Sequence, residues 1–216
     1  MYEEYVLDKE YFVQVIKDLA AMVEEQRDYL TELDAIIGDS DHGINLTIGF
    51  REVMKRLPEW EDVDLTVLFK KMGMVLLGKV GGASGPLYGG LFMKFGEPAN
   101  NQTEVTFDTL VPMFTNGVDL VKSRGKASVG DKTMLDALVP AIDALSEAIQ
   151  QEIEPVQAFE KCVEAARIGR DSTIPLIAKK GRAMRLGERA IGHLDPGATS
   201  SHLILSVFLK NLKSKF

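Results

Sequence analysis

Apolar residues recur at three- and four-residue spacing along almost the whole chain, and four glycine-rich polar gaps interrupt that pattern. Such spacing stacks side chains on one face of a helix and is incompatible with a pleated strand. Phe12, Ile16, Leu19, Val23, Leu30 and Leu33 mark one long first helix, with Asp8 as its N-cap. The spacing predicts a second helix from about Gly43 to Arg56, a third after Asp64, a fourth from Ser84 or Pro86 to Phe95, and a fifth from Thr106 to near Ser123. A sixth follows Thr133, with Asp136 as a capping-box partner. A seventh starts around Pro155 and is kinked or ended at Pro175, and the last begins after "LDPGATS". No segment alternates with period two, and no repeat or linker is present. The expected fold is therefore all-α: one domain over residues 1–216, an antiparallel bundle of about eight helices.

The gaps carry the functional argument. They read "GDSDHG", "KVGGASGP", "SRGKASVGDKT" and "KKGRAMRLGERAIGHLDPGATS", and the last two exceed what a bundle turn requires. In an up-down bundle alternate turns fall at the same end. These four follow helices one, three, five and seven, so they are expected to meet.

Their residues suggest what they would hold. Asp34, Asp39 and Asp41 crowd three carboxylates into one short segment, a repulsive arrangement that a divalent cation would relieve. Hard oxygen ligands suit Mg²⁺, which keeps other positions for water and phosphate oxygens. The bland alternative is a capped helix end and a solvated acidic turn. "HGIN" and "GGAS" each bring glycine to a helix start, where free N–H groups favour anions. Arg182 offers a bidentate phosphate contact or is simply a surface arginine, and His42 is a phosphate contact or a cap. Two stretches imitate a P-loop. "GMVLLGKV" has Val80 where a hydroxyl is needed and continues a helix, and "GKASVGDK" has Asp131 in place of the lysine.

Charge and cysteine content narrow the class. A net charge of −7 argues against nucleic acid, which demands a basic face. The single cysteine, Cys162, excludes an internal disulfide and fits a reducing compartment. The acidic start "MYEEYVLDKE" lacks a signal-peptide layout, and apolar runs such as "LILSVFL" are too short to span a bilayer. A cytoplasmic protein with no membrane partner is expected.

"DAIIGDSDHGIN", "GGASGPLYGG", "SRGKASVGDKTMLDALVP", "KKGRAMRLGERAIG" and "HLDPGATS" together resemble the nucleotide-binding L-subunit (DhaL) family of dihydroxyacetone kinases, from about residue 7 to about 210. The resemblance implies a closed barrel of eight helices with ADP or ATP at one end. It implies two Mg²⁺ ions on Asp34, Asp39 and Asp41, and nucleotide contacts at His42, Gly43, Ile44, Asn45, Ala83, Ser84, Gly125, Met134, Arg182, Asp195, Pro196 and Gly197. Ser40 stands where the family frequently has glycine, and Met184 and Arg185 stand where it more often has serine and tyrosine.

For a free-standing L chain the resemblance implies ADP as a resident coenzyme. A phosphohistidine on a DhaM partner would recharge it, and the γ-phosphoryl would pass to dihydroxyacetone on DhaK. No residue of this chain would then act as covalent catalyst, and a homodimer is expected. Two alternatives stay open: a subunit exchanging free ATP and serving dihydroxyacetone or another small ketose such as erythrulose, and a nucleotide-loaded module reporting to a transcriptional regulator. A Mg²⁺-dependent phosphohydrolase would need the aspartates to follow a buried strand, and "DAII" continues a helix.

Overall fold

A computed structural model describes residues 2–216. Nine α-helices carry the fold: α1 (Lys9–Glu25), α2 (Arg27–Ile37), α3 (His42–Arg56), α4 (Leu65–Lys79), α5 (Ser84–Phe95), α6 (Leu110–Gly125), α7 (Leu135–Gln150), α8 (Pro155–Asp171) and α9 (Pro196–Lys215). Among the described residues these nine α-helices, accompanied by five 3₁₀ stretches of which Arg182–Ala190 is the longest, replace the eight helices expected. The predicted first helix is two, because Gln26 leaves helical geometry at φ −92°, ψ 4° and bends the chain between α1 and α2. The last helix begins earlier than expected, within the "LDPGATS" stretch, at Pro196.

Two short strands, β1 (Val6–Asp8) and β2 (Glu104–Thr106), pair antiparallel with Leu7 opposite Val105. Their three-residue length is too short to show an alternating pattern, so an all-α reading missed them.

The helix limits follow local chemistry. Asp8 and Asp64 accept the backbone N–H of Tyr11 and Val67 at 2.9 Å, fixing the starts of α1 and α4. Asp136 accepts the Thr133 N–H at 2.7 Å, the expected capping contact before α7. The helix at Pro155 stops at Asp171, ahead of Pro175.

Sequential helices pack from α2 to α9, except that α1 rather than α2 begins the main wall: α1 touches α3, and α9 returns to α1 and α2. The far end is locked by phenylalanines from six helices. Phe95 of α5 lies 4.7 Å from Phe69 of α4, 4.8 Å from Phe114 of α6 and 5.6 Å from Phe208 of α9, ring centre to ring centre. Phe12 of α1 and Phe159 of α8 complete the cluster. Edge-on pairs of this kind add about 0.5–1.5 kcal/mol each beyond burial.

Gly73 and Gly89 let α4 and α5 touch backbone to backbone. A Cβ on Gly73 would stand 2.5 Å from the Gly89 carbonyl oxygen, and one on Gly89 2.7 Å from that of Gly73. The P-loop-like "GMVLLGKV" is thus a helix seam.

Candidate nucleotide and metal site

The opposite end opens into a cavity of about 480 Å³ to which all four glycine-rich segments contribute lining residues. The starts of α3, α5, α7 and α9 border it, as alternation in the bundle requires. Each helix N-terminus presents unpaired N–H groups and the positive end of its dipole. Neither Asp41 before α3 nor Ala83 before α5 caps its helix with a side chain, so first-turn amides beyond His42 in α3, whose N–H is taken by Asp34, and those of α5 are left for a ligand. Asp195 does cap α9, accepting the Ala198 N–H at 2.7 Å.

The carboxylate turn begins at the end of α2. Asp34 lies on its last turn, and one of its oxygens, Oδ2, accepts the N–H groups of Asp41 at 2.9 Å and His42 at 3.1 Å. Gly38 makes this possible, because a Cβ there would lie 1.9 Å from the Asp34 Oδ1. Ser40 then turns the chain at φ +64°, a left-handed conformation that favours glycine.

Ligand oxygens of Asp34, Asp39 and Asp41 lie within 4.8 Å of one another. Among the described residues one cation answers them: Arg182 Nη1 pairs with Asp39 at 2.8 Å. Burial and the adjacent Asp41 carboxylate hold Asp39 above the usual carboxylate range, while Arg182 offsets part of that. Three converging carboxylates with one guanidinium leave uncompensated negative charge, and all-oxygen donors fit Mg²⁺.

Beside the triad, His42 is buried. Its Nε2 lies 3.0 Å from Ser200 Oγ and its Nδ1 3.4 Å from Ser84 Oγ. Burial pushes its pKa down to about 4, so the ring is neutral at neutral pH. Ser200 Oγ also meets the buried Tyr88 hydroxyl, tying α3, α5 and α9 together under the cavity floor. The inner wall is apolar, with Leu87, Val121, Met134, Leu135 and Pro196 forming a slot suited to a flat ring. Gly125 lines the slot at the end of α6, beside Leu87.

Of the residues named from sequence, Asp34, Asp39, Asp41, His42, Ala83 and Ser84 line the cavity, as do Gly125, Met134, Arg182, Asp195, Pro196 and Gly197. Three do not. Gly43 packs on α2, where a Cβ would stand 2.0 Å from the Arg27 carbonyl oxygen. Ile44 points outward and is 45% exposed. Asn45 lies against Gly81 of the next turn. Of this trio, only the first-turn amides of Gly43 and Ile44 are left available to the site.

Of the two residues that organise the longer loops, sequence reasoning named Asp136 only as a helix cap and missed Lys132. Asp136 is buried and accepts Gly130 N–H at 2.6 Å as well as Thr133 N–H, so it shapes "SVGDKT". Lys132 is buried with φ +62°, and its Nζ donates to the carbonyls of Thr173 (2.7 Å), Ala190 (2.8 Å) and His193 (2.6 Å). Burial lowers its pKa, opposed by Asp195 and Asp136. The "T-x-x-D" spacing signalled Asp136, and nothing in the sequence marks Lys132 as internal.

The sequence pattern of the DAK2 domain matches residues 36–210. The "PEP-dependent dihydroxyacetone kinase 2, ADP-binding subunit DhaL" of Listeria innocua is 56% identical over 212 residues, covering 97% of this chain and 98% of that one. The corresponding ADP-binding subunit DhaL of Escherichia coli K12 is 46% identical over 175 residues, covering 81% of this chain and 83% of that one. Among solved structures, the dihydroxyacetone kinase of C. freundii superposes with a TM-score of 0.71 at 25% identity. The overlap covers 92% of this chain and 34% of that kinase, so the chain spans about a third of it.

Proposed function

Since the chain belongs to the DAK2-domain family, as a DhaL-type component of dihydroxyacetone kinase, we propose that it holds ADP as a resident coenzyme for phosphoryl transfer. The observation that carries this reading is the meeting of three carboxylates and four helix N-termini around one apolar slot. In this assignment the slot lined by Leu87, Met134 and Pro196 takes the adenine, with Gly125 and Gly197 leaving room for its edges. The first-turn amides of α3 and α5 and the Ser84 hydroxyl bind the phosphate oxygens. Asp34, Asp39 and Asp41 hold two Mg²⁺ ions, and Arg182, freed from Asp39, turns to the terminal phosphate. When bound, Mg·ADP would supply a phosphoryl carrier between a phosphohistidine of DhaM and dihydroxyacetone on DhaK.

The chain's own part is orientation, charge stabilisation and exclusion of water. Phosphoryl transfer through a loose transition state asks for alignment and countercharge more than for a protein nucleophile. His42 supports that division of labour. It is buried, neutral and engaged through both ring nitrogens, so it positions Ser84 and Ser200 rather than accepting a phosphoryl group. The base that handles the sugar hydroxyl then belongs to DhaK. The return of α9 onto α1 is consistent with a closed barrel, and a homodimer and a cytoplasmic setting are part of the same reading. No helix among the described residues is long and apolar enough to cross a membrane.

Two measurements test this function. Mass spectrometry of the purified protein is expected to find ADP retained. Mixing the chain with DhaK, DhaM and dihydroxyacetone is expected to give transfer from phosphoenolpyruvate. Transfer from free ATP alone, with an empty site as purified, would favour the ATP-exchanging alternative.

A further inference from the structure

We propose that Lys132 is a positioning residue, an internal cationic pin that closes the neck of the 172–195 loop and so fixes Arg182 against the carboxylate turn. This deepens the functional reading above and, for its nucleotide arm, rests on it.

The loop joining α8 to α9 is the longest irregular segment of the protein and carries both Arg182 and Asp195. It leaves the bundle at Thr173 and comes back at Ala190–His193. The Lys132 ammonium sits between the two ends and donates to carbonyls on both. A single nitrogen with three N–H groups satisfies three converging buried oxygens, which no other side chain does from one atom. Other bonds share the load: Asp195 N–H also bridges the two ends of the loop, donating to Thr173 Oγ1 at 3.0 Å. Gly192 N–H donates to the Ile174 carbonyl at 2.8 Å, and Lys179 N–H to that of Asp131 at 3.1 Å. Ala178, Ala183 and Ala190 form a small apolar cluster with Ile37 at the end of α2.

Lys132 holds this place at φ +62°, a conformation that a non-glycine residue adopts only when its surroundings over-determine it. The residue next to it, Asp131, anchors Lys179 of the same loop through both its backbone carbonyl and its carboxylate, the latter at 3.5 Å. The α6–α7 connection therefore grips the α8–α9 connection at neck and flank. Arg182 itself is held at its tip by Asp39, one of the three carboxylates. Without the pin, the bearing of the guanidinium on the triad rests on the Lys179–Asp131 contacts and the packing of Ala183 near Ile37.

The test compares wild type with Lys132→Met, which keeps the length of the stem and removes every donor, and with Lys132→Arg, which keeps a cation. Hydrogen exchange is read by mass spectrometry without nucleotide, and release of a fluorescent ADP is followed with Mg²⁺ present. In Lys132→Met, exchange at the Lys179 and Gly192 amides is expected to speed up roughly tenfold or more while α1 and α4–α6 keep their protection. Nucleotide release should quicken by a similar factor, with Lys132→Arg in between. Wild-type protection of the loop in Lys132→Met overturns the proposal. So does an equal loss over all helices, which would make Lys132 a general stability residue. Where Lys132→Met does not fold, Lys132→Arg decides: loss confined to 172–195 supports the pin and uniform loss refutes it. A wild-type protein that binds no nucleotide sinks the functional reading, and the exchange data then judge the pin alone.

Discussion

Gly38→Ala should dismantle the carboxylate turn from within. The new methyl would stand 1.9 Å from Asp34 Oδ1, 2.8 Å from its Cγ and 3.0 Å from the Asp34 carbonyl oxygen, so the carboxylate has to rotate away. Its other oxygen is then pulled from the Asp41 and His42 amides that it now accepts at 2.9 and 3.1 Å. Hydrogen bonds to a charged partner contribute about 1.5–3 kcal/mol each, and partial exposure discounts that, so the expected loss is about 2–4 kcal/mol. For a chain of this length, that lowers the melting temperature by roughly 5–15 °C. The ligand arm is more specific. At a hundredfold excess over Kd, Mg·ADP stabilises wild type by about 2.7 kcal/mol, and the variant should lose most of that gain. Differential scanning calorimetry with and without Mg·ADP measures both. A variant that melts as predicted yet keeps the whole ligand-induced shift would refute the link between Asp34's orientation and metal binding.

The neighbouring position should respond with the opposite sign. Ser40→Gly relieves a left-handed serine at φ +64°, a conformation that costs about 1–2 kcal/mol. Glycine's extra chain entropy returns about 0.5–1 kcal/mol of that, so a net gain of about 0.5–1 kcal/mol, with Mg²⁺ affinity intact, is expected in urea titration. Gly169→Ala should be strongly destabilising, by about 3 kcal/mol, because its Cβ would lie 2.0 Å from the Asp136 carbonyl oxygen at the α7–α8 contact. Asp195 is buried and its pKa is raised from 3.8 to about 7. The folded state thus keeps a proton that the unfolded state releases, and this residue's contribution to stability falls as pH rises from about 4 to about 7. Asp195→Asn should remove that slope from the pH dependence of unfolding. His42 acts in the other sense, since its pKa drops from 6.5 to about 4. Its contribution is lost as pH falls through that window, and its ring protons should show no NMR titration near neutral pH.

What the sequence revealed and what it hid divide along one physical line. Helices were legible because burying one stripe imposes a period on many residues, and the capping aspartates Asp8 and Asp64 mark where two of them begin. The convergence of the four turns followed from counting alternate connections, and the cavity is lined from all four. The bend at Gln26 was not legible, because Leu30 and Leu33 continue the helical period straight across it. The strand pair was too short to show a period. Lys132 was hidden for a different reason. A lysine in a polar loop reads as solvated, and only the fold reveals three backbone carbonyls waiting for it. Gly43 was named for the right turn, but its missing side chain serves the packing of α3 on α2.

The most direct test replaces Mg²⁺ with Mn²⁺ in crystals grown with ADP and locates the metal by its anomalous scattering. The account predicts manganese peaks within coordination distance of Asp34, Asp39 and Asp41 and of the diphosphate, with Arg182 released from Asp39. Peaks elsewhere, or ADP seated in the slot with the three carboxylates turned away from it, would contradict it.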